Sequence, residues 1–354
     1  MEPVKVGISH GDINGVGYEI ILKSVADEGM TELFTPVIFG VPAIAEEAKK
    51  ISGYPNVRFN VVKSAAEAIA GKINLVELPG DVPELHPGEI RKDAGQSAVS
   101  SLEEAVKALK AGDIDVLVTS PISKEAVQSD EFKFPGHTEF LAERLGDGKD
   151  ALMILCNDTL RVALLTKHIP VSEIASKVTK ELVEETVERF ASTLKSDYGI
   201  VRPAIAVLSL NPHAGDGGLL GKEEEEVIKP AIEDLVHKGI LAFGPFPADG
   251  FFGHSSYKKF DGVLAMYHDQ GLAPFKTLAT GGGVNFTAGL PFVRTSPDHG
   301  TAFDIAWQGN ADATSMKEAI YMAIDVFRRR KTFMEASANP LKKYVHERPE
   351  RGDK

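Results

Sequence analysis

Short apolar runs recur along the whole chain, and stretches with helical spacing alternate with them. The runs lie at residues 4–9, 36–40, 56–61, 73–78, 116–120, 151–156, 161–166, 204–210, 262–267 and 284–289. Several are apolar at nearly every position, as expected of parallel strands covered on both faces. Helical spacing marks 17–26, 44–51, 95–110, 138–144, 179–194, 223–237 and 316–328. Strands alternating with helices predict an α/β fold built on a mainly parallel sheet. The residues after Ser337 are polar, carry Pro340 and Pro349, and read as a poorly ordered tail over 338–354.

The length, 354 residues, suits two domains. Hydrophobic residues make up 43% of the chain and charged residues 25%, enough for a sizeable core, which excludes wholesale disorder. A net charge of −12 argues against a nucleic-acid binder, which needs a basic face to displace counterions. It leaves anionic small substrates open, because a local cluster of cations overrides the mean field. The single cysteine, Cys156, excludes an internal disulfide, and its apolar setting (ALMILCN) reads as a buried, inert thiol. No run approaches the roughly 18 apolar residues of a membrane span. The opening MEPVKVGIS has no signal-peptide pattern. The expected location is cytoplasmic, with no membrane partner.

Ligands of open α/β sheets bind beyond the carboxyl ends of strands. Those positions read HGD at 10–12, TSPISK at 119–124, KH at 167–168, NPHAG at 211–215 and HDQG at 268–271. His168, His213 and His268 each follow an apolar run. Three imidazoles that leave coordination positions open describe a catalytic metal site; taken singly, each is as well explained as a loop histidine. Asp249 and Asp269 are candidate acid/base groups, or carboxylates that orient a ligating imidazole, or simple caps. GHTEF, from Gly136, opens a helix. His137 beside the helix N-terminus suits a phosphate or carboxylate, while Thr138 and Glu139 also suit plain capping. Lys276, Asn285 and Arg294 set two cations and an amide around one strand, beside Gly281, Gly282 and Gly283. They suit an anion, or surface salt bridges. GDINGVG at 11–17 is glycine-rich but is not G-x-G-x-x-G, and reads as a tight turn with Asp12 or Asn14 as its cap. There is no Walker A motif. Glu223, Glu224, Glu225 and Glu226 read as a solvated first helical turn favoured by the dipole.

The segment PDHGTAFDIAWQGNA at 297–311 resembles the adenine-nucleotide loop of the decarboxylating isocitrate and isopropylmalate dehydrogenases, which bind NAD or NADP without a glycine fingerprint. Together with GHTEF, NPHAGDGG, MYHDQGL and VNFTAGLPFVRTS, the motifs resemble, in order and over about residues 4–330, the 4-hydroxythreonine-4-phosphate dehydrogenase family of pyridoxal phosphate biosynthesis. The resemblance implies an isocitrate-dehydrogenase-like α/β fold of two α/β/α lobes around a central cleft. The first lobe would hold 1–125 plus about 275–337, the second about 126–274. It implies a homodimer with an active site shared across the interface. It also implies that His168, His213 and His268 hold one divalent metal (Zn, Mg or Co), one of them supplied by the other subunit. His137, Thr138, Lys276, Asn285 and Arg294 match substrate-binding residues, and His299, Gly300, Thr301, Ala302 and Asp304 match the NAD or NADP side.

The implied reaction oxidises 4-phosphohydroxy-L-threonine at its 3-hydroxyl and then loses CO2, giving 3-amino-2-oxopropyl phosphate. Asp249, Asp269 and Lys276 are the candidate bases, beside a metal-bound water. Relatives with the same fold act on D-threonate or D-erythronate 4-phosphate, or on aromatic cis-dihydrodiol carboxylates. A metal-dependent hydrolase and a non-catalytic binding protein are readings of other classes, and the nucleotide-like loop argues against the hydrolase. The sequence departs from many relatives in three places: GDINGVGYE stands for GDPAGIGPE, Asp216 for a more usual Glu, and Trp307-Gln308 for small residues. The last bears on the choice between NAD and NADP.

Overall fold

The structure is a computed structural model that describes residues 3–130, 132–146, 148, 150–279 and 282–340. Its strands are β1 (Val4–Ser9), β2 (Phe34–Gly40), β3 (Phe59–Val62), β4 (Ile73–Glu77), β5 (Val116–Thr119), β6 (Leu152–Cys156), β7 (Arg161–Leu164), β8 (Ala204–Leu208), β9 (Leu241–Phe246), β10 (Gly262–Ala265), β11 (Val284–Ala288) and β12 (Arg294–Pro297). Among the described residues all twelve form one sheet, in the order β3-β4-β2-β1-β5-β12-β11-β6-β7-β10-β8-β9. The sheet is mainly parallel, as expected. Only the β12–β11, β11–β6 and β6–β7 pairings are antiparallel. Three reversals in succession mean that the parallel half ending in β12 and the parallel half beginning at β7 run in opposite directions.

The two faces of the sheet differ. On one, a single apolar core runs the whole length, from Val6 and Ile8 through Val116 and Val118 to Phe286, Ile154, Val207 and Leu264. On the other, the apolar side chains fall into two separate clusters. One holds Val37, Phe39 and Leu117; the other holds Met153, Leu155, Val162 and Ala265. Side chains of a strand alternate between faces, so residues two apart share one. Asn285 pairs with Ser296, and Thr287 with Arg294, across β11 and β12. Those four polar residues stand in the gap between the two clusters.

The helix Lys92–Ala111 ends on Gly112 in the left-handed conformation, with φ 78°. The helix Lys180–Ser196 is capped by Thr179, whose hydroxyl accepts from Leu182 N. The last helix, Thr314–Ser337, is longer than its apolar spacing indicates. Residues 338–340 have no regular structure, and the rest of the expected tail, 341–354, lies outside the described residues. No helix of the described residues is long and apolar enough to cross a membrane. Cys156 is buried in β6, and burial pushes its thiol pKa up to about 12, in keeping with an inert residue.

Candidate active site

A cavity of about 280 Å3 opens over the gap. Its floor comes from β6, β11 and β12 through Met153, Leu155, Asn285, Arg294 and Ser296. Its walls are the segments after β5 and β7, the first turn of the helix His137–Leu145 and one face of the helix His268–Leu278, through His268, Leu272 and Lys276. Of the predicted site residues, His137, Thr138, His168, His268, Lys276, Asn285, Arg294, His299 and Gly300 all line it.

Arg294 is 2% exposed. Its guanidinium donates to Thr119 Oγ1 at 3.1 and 2.5 Å and to Thr287 Oγ1 at 2.8 Å. Those partners are neutral hydroxyls. Burial pushes its pKa down to about 9, against the pull of the Glu139 carboxylate. A buried cation held only by hydroxyls has not recovered its desolvation cost, and an anion in the cavity would offset it. Burial, and then Arg294, hold His137 well below the usual imidazole range, so it is neutral. His137 Nε2, Asn285 Oδ1 and His299 Nε2 are buried polar atoms with no hydrogen-bond partner among the described residues. The expected capping of the helix His137–Leu145 by Thr138 or Glu139 does not occur. The cap position is Gly136 and no side chain caps the helix, which leaves its first N–H groups to attract an anion.

His168 and His268 face each other at the rim, ring centroids 5.7 Å apart. A carboxylate faces Nδ1 of each ring, within hydrogen-bond distance for His268 and at ion-pair distance for His168. Asp269 Oδ1 stands 2.7 Å from His268 Nδ1, and Glu139 Oε1 3.8 Å from His168 Nδ1. The contact with His168 holds the Glu139 carboxyl below its ordinary range. In each ring this leaves Nε2 as the free donor atom, which suits a metal. His213 and Asp249 are elsewhere: they line a neighbouring cavity of about 500 Å3, with Tyr267, Gln270 and Pro274. One protomer therefore brings two of the three histidines together. Among the described residues, no group of three His, Cys, Asp or Glu side chains is close enough to hold a metal ion.

His299 and Gly300 line the cavity, and the chain then runs away from it against the first loop. Val16 N donates to Thr301 O at 3.0 Å. A Cβ on Gly15 would stand 2.8 Å from that oxygen, so glycine lets the two backbones touch. Ala302 takes a left-handed φ of 45° and Trp307 one of 62°. Asp304 is exposed. The Trp307 indole donates to Ile13 O at 2.8 Å, so its ring ties this loop to the first one. Within the first loop Asp12 caps Asn14 N at 2.9 Å, as expected, but not the following helix, where no side chain does.

Sequence reasoning missed several partners. Thr119 and Thr287 reach Arg294 only through strand register. Glu139 was read only as a cap. The acidic run at 223–226 departs most from expectation. Glu224 is fully buried at the start of a π-helical turn, Glu224–Ile228, and is not part of a solvated α-helical turn.

Convergent polar groups in an open α/β sheet, with an arginine awaiting an anion and two oriented imidazoles, define a small-molecule enzyme. The chain belongs to the family of the pyridoxal phosphate biosynthetic protein PdxA, whose family model matches residues 32–323. It is 52% identical over 351 residues to the 4-hydroxythreonine-4-phosphate dehydrogenase of Bacteroides thetaiotaomicron, covering 99% of this chain and 96% of that one. It is 39% identical over 329 residues to the D-threonate 4-phosphate dehydrogenase of Salmonella typhimurium, covering 92% of this chain and 100% of that one. The solved structure of 4-hydroxythreonine-4-phosphate dehydrogenase from Klebsiella pneumoniae matches with a TM-score of 0.77 at 34% identity, covering 92% and 99% of the two chains. The protein is an oxidoreductase of the family that its motifs resemble, which sets the hydrolase reading aside.

Proposed function

We propose that the protein oxidises 4-phosphohydroxy-L-threonine at its 3-hydroxyl, with NAD or NADP and one divalent metal, and releases CO2 and 3-amino-2-oxopropyl phosphate. It would do so in the cytoplasm, for pyridoxal 5'-phosphate synthesis. The observation that carries this reading is Arg294: a buried cation, ringed by hydroxyls, in a cavity whose polar atoms lack partners. Arg294 and the free helix N-terminus at His137 would take the phosphate, and Lys276 would face the rest of the substrate. Asn285, neutral His137 and Thr138 would hydrogen-bond the rest of the substrate. His299, Gly300, Thr301, Ala302 and Asp304 would carry the nicotinamide nucleotide, with the loop fixed by Trp307.

When bound, the metal would supply Lewis-acid stabilisation of the substrate oxygen and the nicotinamide would supply the hydride acceptor. The chain's own part is to orient and to move a proton. Asp269 is committed to His268 Nδ1, which makes it an orienting group. Asp249 and Lys276 are then the candidate bases. In a homodimer, His168 and His268 would come from one subunit and His213, with Asp249, from its partner; that the two sets line different cavities of one chain supports this reading. Leu219, Leu220 and Phe243 are exposed apolar residues of the chain around His213, and a second copy would cover them. The lobes, 1–125 with about 275–337 and about 126–274, would meet at the antiparallel strands β11 and β6.

D-Threonate 4-phosphate is the second reading, favoured by the Salmonella relative; it differs from the first substrate in carrying a hydroxyl in place of the amine. The deciding experiment follows NADH absorbance with 4-phosphohydroxy-threonine, D-threonate 4-phosphate and D-erythronate 4-phosphate, after chelation and with Zn, Mg or Co restored. Metal-dependent reduction with the amino acid alone establishes the first reading. Activity with the sugar acids alone replaces it with the second. Arg294→Ala should raise KM for the phosphorylated substrate by about tenfold or more, the scale of a lost charge-assisted contact, and much less for its dephospho analogue. Equal effects on both would remove Arg294 from phosphate binding.

A further inference from the structure

The turn that carries His213 is a left-handed helical turn. His213, Ala214, Gly215, Asp216 and Gly217 follow one another with φ of 54°, 53°, 77°, 45° and 63°. Three of these residues have a Cβ, which in this region crowds the following carbonyl oxygen. Such a conformation persists only where its surroundings over-determine it. Here the surroundings are Glu224. Its carboxylate is fully buried and accepts from Leu210 N at 2.8 Å, Asn211 N at 2.7 Å and Asn211 Nδ2 at 3.0 Å. Those residues lead directly into the turn.

On the other side, Gly215 lies so close that a Cβ there would stand 2.7 Å from Glu224 Oε2. Leu220 N closes the loop onto Gly215 O at 3.0 Å. No lysine, arginine or histidine among the described residues forms an ion pair with Glu224. Backbone and amide N–H groups alone balance its charge. A buried carboxylate with no cation is an expensive way to fill space. It is set on a π-turn, a feature that recurs beside functional sites.

We propose that Glu224 is a positioning residue for the dehydrogenase reaction. By fixing Asn211 and Gly215 it holds the left-handed turn, and so aims the His213 imidazole at the metal shared with the partner subunit. This rests on the reading of His213 as a metal ligand.

The test measures Co(II) affinity of the purified apo-dimer by visible absorption, together with kcat, KM, Tm and hydrogen exchange over 210–221. Glu224→Asp keeps the charge but draws it back by one methylene. Gly215→Ala presses the turn from the other side. Both should weaken Co(II) binding about 10- to 100-fold, the usual effect of losing a group that orients a ligand. Both should lower kcat, speed exchange over 210–221, and leave KM for the phosphorylated substrate within about twofold, because Arg294 lies in the other cavity. Glu224→Gln should restore Co(II) affinity to within about threefold, since its amide oxygen can serve both backbone N–H groups while Asn211 Nδ2 keeps its bond to Glu223 Oε2 at 2.7 Å, and only the contact with the second Glu224 oxygen is lost. The double variant Glu224→Asp with Gly215→Ala should bind little worse than either single one, as both act through one turn.

If Gly215→Ala and a folded Glu224 variant bind Co(II) as the wild type does, and differ only in Tm, the role is structural and the proposal is overturned. Should Glu224→Asp fail to fold, Gly215→Ala decides alone. His213→Ala separates the two readings. Loss of metal there, with normal binding in the others, overturns this proposal only; full Co(II) affinity in His213→Ala overturns the ligand reading and this one with it.

Discussion

Asp12 has one carboxylate oxygen bonded to Asn14 N and the other buried without a partner, and burial pushes its pKa up to about 6. The unfolded chain ionises near the ordinary aspartate value, so between those limits the folded state holds the extra proton. Stability from this group is complete below the unfolded pKa and is lost as pH rises through about 6. Asp12→Asn removes the titration. Its Tm relative to the wild type should therefore climb between pH 4 and pH 8, and a pH-independent difference would show that Asp12 ionises without cost. At this scale the sequence was partly legible. Imidazoles at strand ends, and the cations Lys276 and Arg294, announce themselves by type and place. What decides Arg294's role is not local: Thr119 and Thr287 meet it only once β5, β12 and β11 have paired. Glu224 was misread because four glutamates in a row look alike until a π-turn buries one of them.

The elements that were legible are those buried on both faces, where apolar runs leave little choice. β12, RTSP, is buried yet polar because it floors the cavity, and no hydrophobic pattern marks it. β9, at the sheet edge, is largely uncovered and contains Gly244 and Pro245, residues that interrupt an apolar strand pattern. The helix His268–Leu278 hides behind Pro274. Just past the apolar stripe of the last helix, ion pairing takes over at Arg329 and Arg330. Arg330 donates to both oxygens of Asp197, at 2.8 and 2.7 Å, and to Leu290 O at 3.0 Å. That clamp joins the helix Thr314–Ser337 to the end of the helix Lys180–Ser196. Asp197 is 1% exposed. Asp197→Ala leaves Arg330 half-buried and unpaired, and should destabilise the protein by about 3 kcal/mol, the low end for a broken buried pair. Asp325→Ala, which removes the exposed partner of Arg329, should change stability little. Urea unfolding of the two variants checks both, and equal effects would deny the clamp its weight.

At the scale of the whole molecule, the sheet reverses direction at its middle, and the apolar packing on one face is interrupted at the same place. That interruption is the cavity, so the site follows from topology as much as from strand ends. The same topology leaves His213 in a neighbouring cavity, so on the proposed reading the metal would be shared by two chains. Mixing variants tests this directly. In a dimer whose sites each take His168 and His268 from one chain and His213 from the other, a hybrid of His168→Ala and His213→Ala has one site with every ligand restored and one with two missing. Random pairing after co-refolding should then recover about a quarter of wild-type activity, since half the dimers are hybrids and half their sites are whole. A hybrid of His168→Ala and His268→Ala should recover none, because each of its sites still lacks one ligand. Recovery in the second mixture and not in the first would assign the histidines to subunits differently. Silence in both, with each variant folded and dimeric, would return the metal to a single chain.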